Sequence, residues 1–179
     1  MAVKAPKALS WLKRFVAARR GATAVEFAFV ATPFLMLIFG VFELGLVFLV
    51  STTLENATDT VSRRIRTGEF QTAGGTKATF KSSICAEMTW LASECATKLY
   101  VDVRTFPKFS NVTVTPPATD AELKTEPFTE GGPEDIVVVR TYYQWELFSP
   151  LMNKSLESIP GSGTRLISST ATFRNEPYI

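Results

Sequence analysis

The chain has 179 residues and a formal net charge of +2, from 19 basic and 17 acidic residues, which is enough for one modest domain beside a membrane anchor. Six basic and no acidic residues lie in the first 21 positions, so the remainder has 13 basic against 17 acidic residues, a net charge of −4. This remainder has no basic stripe, so we expect no nucleic-acid partner. Histidine, the usual general base and commonest metal ligand, is absent from the sequence.

The first predicted elements are a basic leader over residues 1–21 and an apolar segment over residues 22–50. In the apolar segment only Glu26 and Glu43 are charged. The 24 residues from Phe27 to Val50 would form a helix roughly 36 Å long, which crosses a hydrocarbon core of roughly 30 Å with some tilt. We therefore predict one transmembrane helix.

The basic residues of the leader all lie on one flank of this helix, which places the N-terminus in the cytoplasm and exports the C-terminal part. A cleaved secretory signal fits less well, because the apolar run is too long and no A-x-A site follows it. A twin-arginine export signal built on Arg19 and Arg20 also fits less well, since the residues after the pair do not match. An ordinary uncleaved anchor stays open.

An amphipathic extension over residues 51–68 is predicted to follow the membrane segment. Its apolar residues recur at spacings of three, four and four: Leu54, Ala57, Val61 and Ile65. This spacing places them on one face of a helix. Glycine is common just past a helix C-terminus, so Gly68 is suited to end a helix that runs from Ala22 to about Thr67.

Residues 69–179 are predicted to form an exported α+β domain. Residues 80–98 predict a short helix, a turn and a second helical piece. Four strands are predicted, over residues 98–104, 111–115, 135–148 and 165–175. One face of this small antiparallel sheet should pack on the amphipathic half of the long helix, because each alone would leave an apolar face in water.

Cys85 and Cys95 are the two cysteines of the chain. An even pair in an exported domain predicts a disulfide. The two lie ten positions apart, so the chain must bend between them for the sulfurs to meet. The alternative is a pair of buried thiols.

The sequence argues against an enzyme. Without histidine there is no Ser-His or Cys-His pair, and there is no phosphate loop or dinucleotide fingerprint, so we expect no cofactor. A Ser-Lys or paired-carboxylate site stays open. Acidic residues crowd one loop over residues 120–135, and carboxylates suit Ca²⁺. The spacing is not that of an EF-hand, so a solvated loop is the favoured interpretation.

The most specific motif is RRGATAVEFAF, which runs from Arg19 to Phe29. Its lone carboxylate, Glu26, lies inside an apolar helix, where an ionisable group is costly and is a functional candidate by default. If the chain is cut after Gly21, Ala22 gains a free amine about one helical turn from Glu26. The amine and the carboxylate can then neutralise each other, within one chain or between two.

This motif resembles that of the type IV prepilin class. Members of the class have a basic leader, a glycine before the cut, a small or apolar first mature residue and a glutamate at the fifth mature position. The resemblance implies cleavage between Gly21 and Ala22 by a membrane prepilin peptidase, on the cytoplasmic side. It also implies that Glu26 acts in assembly, where the apolar helix packs into the core of a filament.

The longer string RRGATAVEFAFVATPFLMLIFGVFELG, from Arg19 to Gly45, is similar to the opening of the TadE-like pseudopilins of the tight adherence (Flp) pilus system. Residues 132–139 and 173–178 also resemble segments of that family. The resemblance implies a protein of the bacterial inner membrane that works with other pilin and pseudopilin subunits and with the pilus assembly platform. The major Flp pilins typically have tyrosine after the glutamate and little beyond the helix. Here Phe27 and a sizeable exported domain favour a minor subunit.

Two residues of the apolar run have open roles. Pro33 lacks a backbone N–H and should kink or loosen the helix, either to let helices pack in a filament or as a tolerated membrane proline. Glu43 either marks the outer edge of the bilayer or is a buried partner for a basic residue of another subunit.

Two functions compete on the sequence. The first is a minor pseudopilin needed to assemble an adhesive pilus. The second is an uncleaved, membrane-anchored periplasmic module that binds a partner or the cell wall.

Overall fold

The computed structural model describes residues 21–113, 115–148 and 153–178, with the side chains of residues 153 and 154 excepted. The predicted leader, apart from Gly21, therefore lies outside the described residues. The helices are α1 (Ala22–Arg66), α2 (Glu69–Thr72), α3 (Lys77–Glu87), α4 (Ala92–Lys98), α5 (Asp120–Leu123) and α6 (Asn153–Leu156). The strands are β1 (Leu99–Phe106), β2 (Ile136–Glu146) and β3 (Thr164–Arg174), and short 3₁₀ turns occupy Thr89–Leu91 and Phe109–Asn111.

The chain divides into two units, Met1–Phe42 and Glu43–Ile179. In the first unit, the described part of α1 exposes large apolar side chains such as Phe27 (73 %), Phe29 (78 %) and Val30 (71 %). Within the described residues, α1 is the one helix long and apolar enough to cross a membrane. This finding fits the predicted single-pass anchor.

The second unit is an α+β domain built on a three-stranded antiparallel sheet of order β1-β2-β3. Val139 lies at its centre, opposite Val103 of β1 and Ala171 of β3. The inward side chains of the sheet meet the apolar face of α1, which is at most 2 % exposed at each position: Val50, Leu54, Ala57, Val61 and Ile65. The predicted amphipathic extension and the predicted α+β class are both confirmed.

A buried polar contact lies inside this apolar layer. Thr58 of α1 and Thr141 of β2 are fully buried, and their hydroxyl oxygens are 2.7 Å apart. Because each hydroxyl satisfies the other, neither polar group is left unpaired by burial.

The strand predicted over residues 111–115 is wrong for the described residues of that segment, and the sheet has three strands instead of four. A 3₁₀ turn occupies Phe109–Asn111 where the strand was expected to begin. The outer edge of β1 is taken by another segment. Val103 donates its N–H to Pro127 O (2.8 Å) and accepts a hydrogen bond from Thr129 N–H (2.9 Å). Residues 127–129 thus pair with the middle of that edge, where residues 111–115 were expected to add a strand.

The C-terminal segment of the chain packs against the C-terminal end of α1. Gly68 has a φ of +80°, and a Cβ on it would lie 2.3 Å from the ring of Tyr178. The Tyr178 hydroxyl donates to Gly131 O (3.3 Å), and Glu176 donates its N–H to Arg66 O (2.8 Å). Asn175 also donates to Gly132 O (2.9 Å) and to Asp135 O (2.8 Å), so the segments 132–139 and 173–178, singled out by sequence resemblance, contact each other.

Replacing Gly68 by alanine is expected to lower the free energy of unfolding by more than the strain of a positive φ alone, which is about 1–2 kcal/mol. The added Cβ must also displace the Tyr178 ring. Gly161 is a matched control, because it has the same φ of +80° and a Cβ added there would meet nothing within 4 Å. Urea unfolding of both alanine variants measures the difference, and equal losses would contradict the contact between Gly68 and Tyr178.

Cys85 of α3 and Cys95 of α4 form a disulfide with a Cα–Cα distance of 5.5 Å, as predicted. The 3₁₀ turn at Thr89–Leu91 supplies the bend between the two helices. Both cysteines are buried against the apolar core.

Replacing Cys85 and Cys95 together by serine is expected to lower the free energy of unfolding by roughly 2–3 kcal/mol, because the short loop is no longer closed in the unfolded chain. Reductant should destabilise the wild-type protein by a similar amount and leave the double variant unchanged. Thermal melting with and without reductant measures both effects. Free thiols detected in non-reduced wild-type protein would contradict the bridge.

Candidate functional site

The predicted processing residues lie at the start of α1. Gly21 immediately precedes the helix, and Ala22 is its first residue. A Cβ on Gly21 would meet nothing within 4 Å, so the fold does not require glycine there.

Glu26 lies one turn into α1 and is exposed. Its neighbours Val25, Phe27 and Val30 are also exposed, so the carboxylate lies on a helix surface that is otherwise apolar. A charge on such a surface is costly to place in hydrocarbon. This arrangement favours a partner of opposite charge near the membrane surface.

Pro33 lies seven residues after Glu26, which places the two on the same face of α1. The proline supplies no N–H to the carbonyl of Phe29, yet α1 continues through it. Beside it, the Thr32 hydroxyl donates to Ala28 O (2.7 Å).

An open apolar groove runs along this part of α1. Its lining includes the small residues Ala24, Ala28 and Thr32, which recur at spacings of four. Small residues at this spacing let a second helix approach closely in a membrane. The first turns of α1 thus combine a lone carboxylate with a surface suited to helix packing.

Neither of the two roles predicted for Glu43 includes the contact that it makes within its own chain. It is fully buried within the Glu43–Ile179 unit, and its Oε1 accepts a hydrogen bond from Phe148 N–H at 3.0 Å. Glu43 therefore joins α1 to the chain just after β2.

A buried ion pair lies on the sheet face opposite α1. Arg140 of β2 donates to Asp102 of β1 and, through Nη1, to Thr115 O (2.8 Å). Asp102 also accepts from Arg104 Nε (2.8 Å). Burial is the main cause of the raised pKa of the adjacent Tyr142 hydroxyl, which the charge of Arg140 partly opposes. These contacts hold the proline-rich segment before α5 against the sheet.

Replacing Asp102 by asparagine is expected to cost about 3–5 kcal/mol of unfolding free energy, because Arg140 is then a buried charge without a counter-charge. The double variant Asp102→Leu, Arg140→Met should recover most of that loss, since it removes both charges. Chemical unfolding of the single and double variants measures the effect. A single variant as stable as the wild type would show that the pair is unimportant for folding.

The acidic loop over residues 120–135 makes contacts of its own. Glu126 pairs with Lys77 (3.4 Å) and Lys81 (3.3 Å), and Glu134 pairs with Arg174 (3.3 Å). Within the part of the chain that the structure describes, no cluster of three or more Asp, Glu, Cys or His side chains is suited to a metal ion. These salt bridges connect the loop to α3 and β3.

A long apolar N-terminal helix is packed through its second half on a small antiparallel sheet, which is an α+β arrangement. Residues 21–63 match the model of the family described as TadE-like protein. This match confirms the resemblance of the N-terminal string to TadE-like proteins and is consistent with a pilin-like protein of the Tad system. Comparisons with curated proteins and with solved structures found no match.

The family match also bears on the class of function. TadE-like proteins are pilin-like structural proteins and not enzymes, and the family implies association with other pilus subunits. The matched residues contain Gly21, Ala22, Glu26 and Pro33. They also include all of the helix face that packs on the sheet except Ile65. The β-sheet domain after residue 63 lies outside the match.

Sequence reasoning missed the bond between Glu43 and Phe148 and the pair of Asp102 with Arg140. The partners are 105 and 38 positions apart along the chain. Only the register of β1 against β2 places Asp102 opposite Arg140. The one signal for the pair of Asp102 with Arg140 was that each is a charged residue within an otherwise apolar strand.

Proposed function

We propose that this chain is a minor pseudopilin required to assemble a tight adherence (Flp) type IV-like pilus used in surface adhesion. A prepilin peptidase cuts it between Gly21 and Ala22 on the cytoplasmic side of the bacterial inner membrane. The mature subunit then joins other pilin and pseudopilin subunits at the assembly platform. The observation that carries the proposal is the match of residues 21–63 to the TadE-like family.

The described contacts support a role that begins with the first turn of α1. Gly21 needs no glycine for packing, so a peptidase that accepts an extended, unhindered backbone accounts for it. Glu26 and the small-residue groove are exposed, and they are suited to pairing with a second membrane helix. The domain after the membrane segment carries its own core and a disulfide, and a disulfide persists in an oxidising compartment such as the periplasm.

Cells that lack this protein are expected to lose surface pili and to adhere poorly, and expression of the full chain should restore both. Electron microscopy of filaments and an adhesion assay measure the outcome. The competing function, an uncleaved periplasmic binding module, predicts normal pili in the deletion strain. Normal piliation without the protein would therefore overturn the proposal.

A further inference from the structure

Large apolar side chains stay exposed on α1 beyond the point where the second unit begins. In the Glu43–Ile179 unit, Leu44 is 48 % exposed, Phe48 70 % and Leu49 48 %. From there to its end at Arg66, all within the described residues, α1 exposes no further large apolar side chain. Its next exposed charged residue is Glu55. The surface of α1 therefore changes from apolar to polar between Leu49 and Glu55.

A fourth exposed apolar side chain lies at the same level along α1. Phe148 is 50 % exposed, and its N–H donates to Glu43 Oε1 at 3.0 Å. This bond fixes the end of β2 beside the first residue of the second unit. We call the four side chains Leu44, Phe48, Leu49 and Phe148 the apolar rim.

The apolar rim lies where the hydrocarbon core should end. Glu26 is the last charge before the apolar run, and about 20 helical residues cross the core. Counted from Phe27, these residues end close to Leu46. Leu44 then lies at the edge of the hydrocarbon, and Phe48 and Leu49 lie within the next turn and a half of helix.

We propose that the apolar rim is a lipid-binding surface that seats the exported domain in the outer leaflet, at the boundary between acyl chains and headgroups. Its occupant is the bilayer itself, because Leu44 follows the apolar run 27–42 in the sequence and the intervening Glu43 is buried within the second unit. The bond between Glu43 and Phe148 ties the domain to one depth.

The sheet register provides a matched control residue. Leu99 of β1 pairs with Tyr143, whereas Phe106 pairs with Ile136, so Phe109 follows the end of β1 that is remote from Phe148. Phe109 is 57 % exposed. Ten residue steps of strand separate the two ends, which is roughly 34 Å. Phe109 should therefore remain in water while Phe148 contacts lipid.

The test uses the full chain with a single added cysteine, Phe148→Cys or Phe109→Cys, labelled with a nitroxide while Cys85 and Cys95 stay in their disulfide. The protein is reconstituted at high dilution in phosphatidylcholine–phosphatidylglycerol vesicles. Power-saturation EPR compares collision with oxygen, which concentrates in lipid, and with a water-soluble nickel chelate. We expect the label at 148 to collide severalfold less with nickel and more with oxygen than the label at 109.

Two results would overturn the proposal. Equal nickel accessibility at both positions would place Phe148 in water. Shielding of position 148 from both reagents, with spin–spin broadening that rises with the protein-to-lipid ratio, would mean that a second copy covers the rim. If Phe148→Cys fails to fold, a carbene precursor dissolved in the bilayer can label the unmodified protein. Mass spectrometry should then find the label on the peptide with Phe148 and not on that with Phe109.

Neither outcome depends on whether the chain is cleaved or joins a pilus. The measurement concerns the depth of the domain in a bilayer, and the proposed pilus function is tested separately in cells. A failure of the lipid-binding proposal can therefore be distinguished from a failure of the proposed pilus function.

Discussion

Replacing Glu26 by glutamine is expected to leave the protein inserted and cut after Gly21, and to remove it from sheared pili or leave cells poorly piliated. After cleavage, Ala22 carries a positively charged amine close to the apolar surface of α1. Both this amine and the Glu26 carboxylate lose hydration there, and pairing offsets part of the cost. Glutamine keeps the shape of the side chain and removes its charge.

How strongly Glu26→Gln reduces piliation depends on which amine pairs with Glu26. A self-pair within one helix is possible, since Ala22 lies about one turn away. In a stack of parallel helices, a neighbour shifted along the axis can offer its own amine instead, and the pair then fixes the register between subunits. The groove lined by Ala24, Ala28 and Thr32 lies on a different face of α1 from Glu26, so it could contact another neighbouring helix but does not itself bring an amine to this carboxylate.

Immunoblots of membrane and sheared fractions, together with counts of surface filaments, measure the result. Glu26→Asp should behave in between, because its carboxylate is one methylene shorter. Glu55→Gln is a matched control, since Glu55 is an exposed glutamate of the same helix beyond the membrane segment. Normal filaments that contain the Glu26→Gln subunit would show that Glu26 does not set the register.

Replacing Gly21 by valine is expected to leave the protein at full length, with the unprocessed form replacing the mature one almost completely. A branched side chain before the cut would collide with the walls of a peptidase site that receives an extended backbone. The fold itself should tolerate the change, because a Cβ at Gly21 meets nothing within 4 Å.

The control for this variant is Gly45→Val, at another glycine of α1 whose Cβ would meet nothing within 4 Å. It should insert and be processed normally. The two forms are separated by gel mobility and identified by the mass of the intact protein. Normal maturation of Gly21→Val would remove the main support for cleavage at this position.

Local patterns of the sequence predicted most of the fold. The spacing of Leu54, Ala57, Val61 and Ile65 correctly predicted the buried face of α1. Gly68 correctly predicted where the helix ends, since the last helical residue is Arg66, two positions earlier. Periodicity and glycine preferences act over a few residues, so both can be read directly from the chain.

The features that could not be predicted from the sequence depend on contacts between residues far apart along the chain. The short β-branched stretch over residues 111–115 has the composition of a strand, but the edge of β1 is already paired with Pro127–Thr129. The role of Glu43 was open for the same reason, since nothing near it in the sequence indicates Phe148. The predicted roles of Gly21, Ala22, Glu26 and Pro33 depend on partners outside this chain, and they stay predictions.

The N-terminal sequence of the protein extracted from membranes tests the central claim most directly. We expect a mature chain that begins at Ala22, with the first 21 residues removed. A chain that still begins at Met1 in piliated cells would contradict cleavage, and the protein would then be an uncleaved membrane anchor for a periplasmic domain.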